Sequence, residues 1–96
     1  MKRDDILRRV GRFREQSSDE FGIVRIGVFG SVARDKVNDA SDVDIVVELE
    51  QPDLLTIVGI KQELQAALDL PVDVVRYRET MNDFLKRHID QEAVYV

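Results

Sequence analysis

The sequence contains no cysteine, which rules out disulfide staples and thiolate zinc sites and makes a reducing, cytoplasmic setting the natural one. It has no excess of basic charge. The formal net charge is −5, which argues against a chain whose main business is coating DNA or RNA, so no direct nucleic-acid binding is expected. No apolar run approaches the roughly 20 residues that span a bilayer, so no membrane partner is expected. The opening MKRDDILRRV carries charges throughout and lacks the apolar stretch of a secretory signal, so no leader is expected there. Repeats, low-complexity tracts and Pro/Ser-rich linkers are missing as well. What is present suits one globular domain: 96 residues, 44% of them hydrophobic, enough for a single core with little to spare. Residues 1–96 are therefore read as a single domain.

Ile6, Val10 and Phe13 recur at helical spacing, with Leu7 beside them, and predict a helix over residues 2–15. Its acidic first turn and its late arginines suit the helix dipole. Lys2, Arg3, Arg8, Arg9, Arg12 and Arg14 give that helix a solvated charged face. SSDEFG reads as a loop. IVRIGVF reads as a strand with Val24, Ile26 and Val28 on one face and Arg25, Gly27 and Phe29 on the other. DVDIVVEL is a second strand. Val43, Ile45, Val47 and Leu49 share one of its faces; Asp42, Asp44, Val46 and Glu48 share the other. Asp53 is placed to cap a helix carrying Leu54, Ile57, Ile60, Leu64 and Leu68. LPVDVVRY is a third strand. Thr80 is placed to cap a last helix bearing Met81, Phe84, Leu85, His88 and Ile89, with His88 packed on its apolar stripe, and AVYV reads as a short edge strand. Tyr77 and Tyr95 read as core or edge residues. Two consecutive strands joined by about a dozen residues do not suit a uniformly wound parallel sheet, so a mixed sheet covered by helices is expected.

The segment GSVARDKVNDASDVDIVVE, residues 30–48, carries the chemistry. Asp42 and Asp44 project from one strand face, and Asp73 can join them if the third strand neighbours the second. Three carboxylates in one cleft repel unless a cation sits between them, and an all-oxygen set selects Mg²⁺ or Mn²⁺ over zinc. Gly30-Ser31 ends the first strand and opens a short helical turn, where glycine admits close backbone approach and exposed N–H groups can hold phosphate oxygens. A phosphate cradle beside an acidic metal site is what phosphoryl or nucleotidyl transfer requires. Taken singly, each feature is also compatible with a plain turn, an exposed strand start or a solvated edge. Their joint occurrence in this order is far more specific.

Gly30-Ser31-Val32-Ala33-Arg34, Ser41-Asp42-Val43-Asp44 and Val72-Asp73-Val74-Val75 resemble the motifs of the minimal nucleotidyltransferases. These are single-domain relatives of the DNA polymerase β-like superfamily, found beside HEPN-domain proteins in prokaryotic toxin–antitoxin pairs. The resemblance covers nearly the whole chain, including its RHIDQEAVYV ending. It implies an α+β, palm-like nucleotidyltransferase fold. It also implies a type VII-like antitoxin that transfers AMP from ATP to a tyrosine of a HEPN-domain toxin and so neutralises it. By the same resemblance, Gly30 and Ser31 hold the triphosphate, Asp42 and Asp44 ligate Mg²⁺ (two ions, with Mn²⁺ as a substitute), and Asp73 completes the site and assists deprotonation of the attacking hydroxyl. Arg34 is read either as a phosphate contact or as a brace paired with Asp42 or Asp39. The family usually has glycine after the motif arginine, whereas Asp35-Lys36 follows here, a change that would stiffen or re-aim the loop. The alternative reading is an antitoxin that neutralises its toxin by binding alone. Transfer to a small molecule such as an aminoglycoside is disfavoured, because such enzymes carry an additional domain. A sheet this small is expected to leave apolar surface, including Val46 and Val75, for a toxin hetero-oligomer or for self-association.

Overall fold

The computed structural model describes residues 2–35 and 42–96. The elements run α1 (Arg3–Phe21), β1 (Ile23–Phe29), α2 (Gly30–Ala33), β2 (Val43–Leu49), α3 (Leu54–Leu68), β3 (Val72–Arg76), α4 (Asp83–Glu92) and β4 (Val94–Tyr95). They build one mixed sheet in the order β3-β2-β1-β4. β1 pairs antiparallel with both β2 and β4, and β2 pairs parallel with β3. The expected mixed sheet with helical cover is therefore the fold.

One face of the sheet carries the main core. Ile26 and Val28 of β1, Val43, Ile45 and Val47 of β2, and Val72 of β3 pack there against Ile6, Val10 and Phe13 of α1 and Ile60, Leu64 and Leu68 of α3. Most of these side chains are fully buried. Burying each one contributes about 1.5–3 kcal/mol. The opposite face holds a much smaller cluster, in which Phe29, Val46, Met81 and Ile89 are joined by Val75, Tyr77, Leu85 and Ala93 under α4. Val46, expected on an open partner surface, is thus fully covered, while Val75 is half-buried. The alternation in β2 that placed it opposite Ile45 was correct; the cover supplied by α4 was not anticipated.

Three local expectations are corrected. SSDEF is not a loop: α1 continues to Phe21, and Gly22, at φ 65°, ends it with its N–H donated to Ser18 O. The extra turn is held by packing, since the Phe21 ring stacks on Phe13 at 6.1 Å and lies where a side chain on Gly59 of α3 would meet it at 3.1 Å. In β1 a register irregularity between Ile23 and Arg25 turns Val24 outward, 47% exposed, and puts Ile23 in the core. A bulge adds one residue and so reverses the alternation on its far side. In the last helix the cap is Asn82, whose side chain accepts from Leu85 N at 3.1 Å. Thr80 lies in the turn before it, and Met81 is a buried residue preceding the helix. Leu85 and Ile89 face the sheet, while Phe84 is 70% exposed and meets a half-exposed His88 at 4.6 Å with the rings tilted by 57°.

The short β4 is held close by a glycine. A side chain on Gly27 would stand 2.8 Å from Val94 O and 2.9 Å from the Tyr95 ring. Arg25 binds Glu48 at 2.7 Å and lies over the rings of Tyr77 and Tyr95 at 4.9 and 4.6 Å, fastening this end of the face.

Candidate active site

Three neighbouring strands deliver the site residues to one level of the sheet. Phe29, the last residue of β1, pairs with Asp44 of β2, and Asp44 pairs in turn with Asp73 of β3. Since α3 has returned the chain to a parallel β3, equivalent positions of β2 and β3 point to the same face. The two carboxylates therefore share a rung, with strand axes roughly 4.8 Å apart. Asp42 lies two residues before Asp44 at the mouth of β2 and is exposed.

Gly30 turns the chain out of β1 with φ 73°. A Cβ there would collide with a carboxylate oxygen of Asp44 and stand 3.1 Å from its Cγ. Both the conformation and the contact demand glycine. The one-turn α2 that follows is anchored by the fully buried Val32. Its first turn leaves the N–H groups of Gly30, Ser31 and Val32 without helical acceptors. The structure thus brings together Gly30, Ser31, Asp44 and Asp73, with Asp42 beside them.

Electrostatically the site is unsettled. Partial burial pushes the Asp44 carboxyl above the ordinary carboxylate range, and the charges of Asp73 and Asp42 push it further, while Arg34 opposes them. Among the described residues no three His, Cys, Asp or Glu side chains are gathered closely enough to hold an ion as they stand. The donor chemistry nevertheless suits a hard divalent cation: all ligating atoms are oxygens, and their mutual repulsion is what such a cation would relieve.

Arg34 makes a contact the sequence did not suggest. Its guanidinium donates to both carboxylate oxygens of Glu92, at 3.1 and 2.9 Å, tying the end of α2 to the end of α4. Asp42 is not its partner, and Asp39, the other expected one, lies outside the described residues, as do Lys36 and Ser41. Glu92 is 58 residues away in sequence, and no local pattern marks it. Asp35, at the position where the resemblance implies glycine, adopts φ 59°. The position requires a left-handed residue, and aspartate is among the few non-glycine types that accept one.

The model of the nucleotidyltransferase domain family matches residues 10–96. The protein adenylyltransferase MntA of Thermococcus cleftensis is 36% identical over 86% of this chain and 84% of its own length. A solved structure assigned as a minimal nucleotidyltransferase superposes with a TM-score of 0.80 at 30% identity, covering 98% of this chain and 95% of that one. The fold is shared too, at 22% identity and a TM-score of 0.59, with a structure of a tri-AMPylated Shewanella oneidensis HEPN toxin in complex with MNT antitoxin; the match covers 88% of this chain and 69% of that one.

Proposed function

Since the chain belongs to the nucleotidyltransferase domain family, and within it to the minimal nucleotidyltransferase antitoxins, we propose that this enzyme transfers AMP from ATP to a tyrosine of a HEPN-domain toxin. The observation that carries the reading is the Asp44–Asp73 rung set against Gly30. It combines a carboxylate pair, a close backbone approach and free N–H groups within one corner of the sheet. The adenylyltransferase activity of the Thermococcus relative and the AMPylated toxin of the structural neighbour supply the nucleotide and the partner.

Gly30 and Ser31 hold the triphosphate, which lies against the first turn of α2. Asp42, Asp44 and Asp73 are the residues that would hold Mg²⁺, as two ions. When bound, the metal neutralises the phosphate charge and lowers the pKa of an oxygen it touches. The tyrosine oxygen attacks the α-phosphorus as its proton passes to Asp73. The new P–O bond forms in line as the bond to the β-phosphate breaks, and pyrophosphate leaves. A free tyrosine titrates near about 10, so a base standing on a separate strand from the Asp42–Asp44 pair is needed on the acceptor side. Arg34, released from Glu92, is within the same corner to meet the phosphates. The protein acceptor brings its own surface to this corner of the sheet.

The test is mass spectrometry of a HEPN-domain toxin after incubation with the protein, ATP and Mg²⁺. Adenylyl adducts are expected with wild type. Asp73→Asn should lower kcat by about 10²–10⁴-fold, the usual worth of a general base, while retaining most of the ATP affinity. Neutralisation equal in both proteins with no adduct in either means that occlusion, not transfer, is the mechanism.

A further inference from the structure

We propose that the open edge of β3 is the docking strand for the acceptor: an extended, acidic segment of the partner protein adds to the sheet there and is led to Asp73. The inference rests on the proposed transfer to a protein acceptor and names the surface that would select it.

β3 is an outer strand of the sheet. On its inner side Val43 N donates to Pro71 O and Tyr77 N to Val47 O, so in the parallel ladder the odd-numbered residues of β3 bond to β2. The N–H and C=O groups of Val72, Val74 and Arg76 therefore point away from the sheet. Gln65 of α3 caps the first of them, its Oε1 accepting from Val72 N at 3.3 Å. Val74 and Arg76 find no such partner among the described residues. An unpaired edge of this kind is normally blunted by proline, a bulge or a covering segment, and Val72–Arg76 contains no proline.

Alongside these free groups runs a groove of about 550 Å³, floored by Val74 and Val75 and walled by Leu54 and Ile57 of α3 and by Met81 and Leu85. Backbone groups at the edge and apolar pockets on either side are the two requirements of β-strand addition. The occupant is set by charge. Arg76 and Arg78 line the groove, and neither has an ion-pair partner among the described residues, whereas the chain as a whole is acidic at −5. Asp53, at the groove wall, is engaged in capping α3 through Leu55 N. Position points the same way: Val74 directly follows Asp73, so a strand laid on this edge comes within a residue or two, roughly 3.3 Å each, of the carboxylate that faces the attacker.

Two variants test this against a HEPN-domain toxin as the probe. Val74→Pro removes an outward N–H that no described residue uses, and Arg76→Glu with Arg78→Glu reverses the rim without touching the backbone. Both should bind an ATP analogue as wild type does, and each should raise the toxin Kd and the acceptor KM about tenfold or more at unchanged kcat, as expected for one or two lost hydrogen bonds to charged or backbone groups. The double arginine variant decides the matter if Val74→Pro unfolds. Unchanged toxin affinity in both variants, with Asp73→Asn still abolishing transfer, overturns the docking strand and leaves the enzyme standing. Absence of adduct with wild type overturns the enzyme, while the calorimetric toxin affinities still decide the edge. If sedimentation shows a dimer of this chain that Val74→Pro splits, a second copy occupies the edge and the proposal fails.

Discussion

The two faces of the sheet differ in what they are for. Against α1 and α3 the sheet presents an unbroken set of branched aliphatic side chains, nearly all without solvent contact. The other face is shared: Ile89 of α4 closes a patch with Phe29, Val46 and Met81, Arg25 and Glu48 tie down one end, and the other end is given to carboxylates that repel one another. Stability comes mainly from the first face, and the second spends part of it on a charged, open corner. Sites that must hold concentrated negative charge for a ligand are expected to sit where removal of that charge would help the empty protein.

The largest effect should come from the first face. Leu64→Ala is expected to cost about 3 kcal/mol in denaturant unfolding and to leave the transfer rate unchanged at temperatures where the variant is folded. Val46→Ala should cost less, about 2 kcal/mol, yet slow transfer more, because Val46 lies two residues from Asp44 on the same face of β2 and its packing beneath α4 fixes that part of the strand. Equal effects of the two on rate would erase the distinction between the faces. Gly30→Ala comes next. It combines a left-handed residue with a collision against Asp44 and should cost about 1–3 kcal/mol while abolishing nucleotide binding by calorimetry. Asp35→Gly runs the other way. Relieving the φ of 59° should stabilise by about 0.5–1 kcal/mol, read as a higher Tm, offset in part by the greater freedom of glycine in the unfolded chain. The smallest effect is in pH. The folded Asp44 carboxyl holds its proton above the ordinary value of about 3.9, so the folded state binds more protons than the unfolded one and stability falls as pH rises through and beyond that range. Wild-type minus Asp44→Asn stability should therefore decline as pH rises through and above the ordinary carboxylate value in metal-free buffer, and only slightly, since much of the group remains in water.

The first face was largely legible in the sequence, because its information is periodic: the alternation of β2 and the helical spacing of Ile6, Val10 and Phe13 each name a buried side directly. The D-x-D and Gly-Ser were legible for the same local reason. The bulge that turns Val24 outward was not, since it is a choice of register between two strands. Nor was the length of α1, which depends on Phe21 finding Phe13 and the bare surface of Gly59. The link from Arg34 Nη1 to both Glu92 oxygens joins residues in separate elements and leaves no trace in either neighbourhood. Asp73 lay between these cases: its strand could be read, but its place beside Asp44 required knowing that β3 pairs with β2.

That parallel pairing has a consequence in handedness. Two parallel neighbours joined through a helix form a crossover, and chains of L-amino acids wind such crossovers right-handed almost without exception. The helix of the β2-α3-β3 unit is therefore confined to one side of the sheet, here the side of Ile45 and Val72. The opposite winding would have laid Leu64 and Leu68 over Asp44 and Asp73. The carboxylates are open to a ligand because the chirality of the backbone forbids their own connection from passing in front of them.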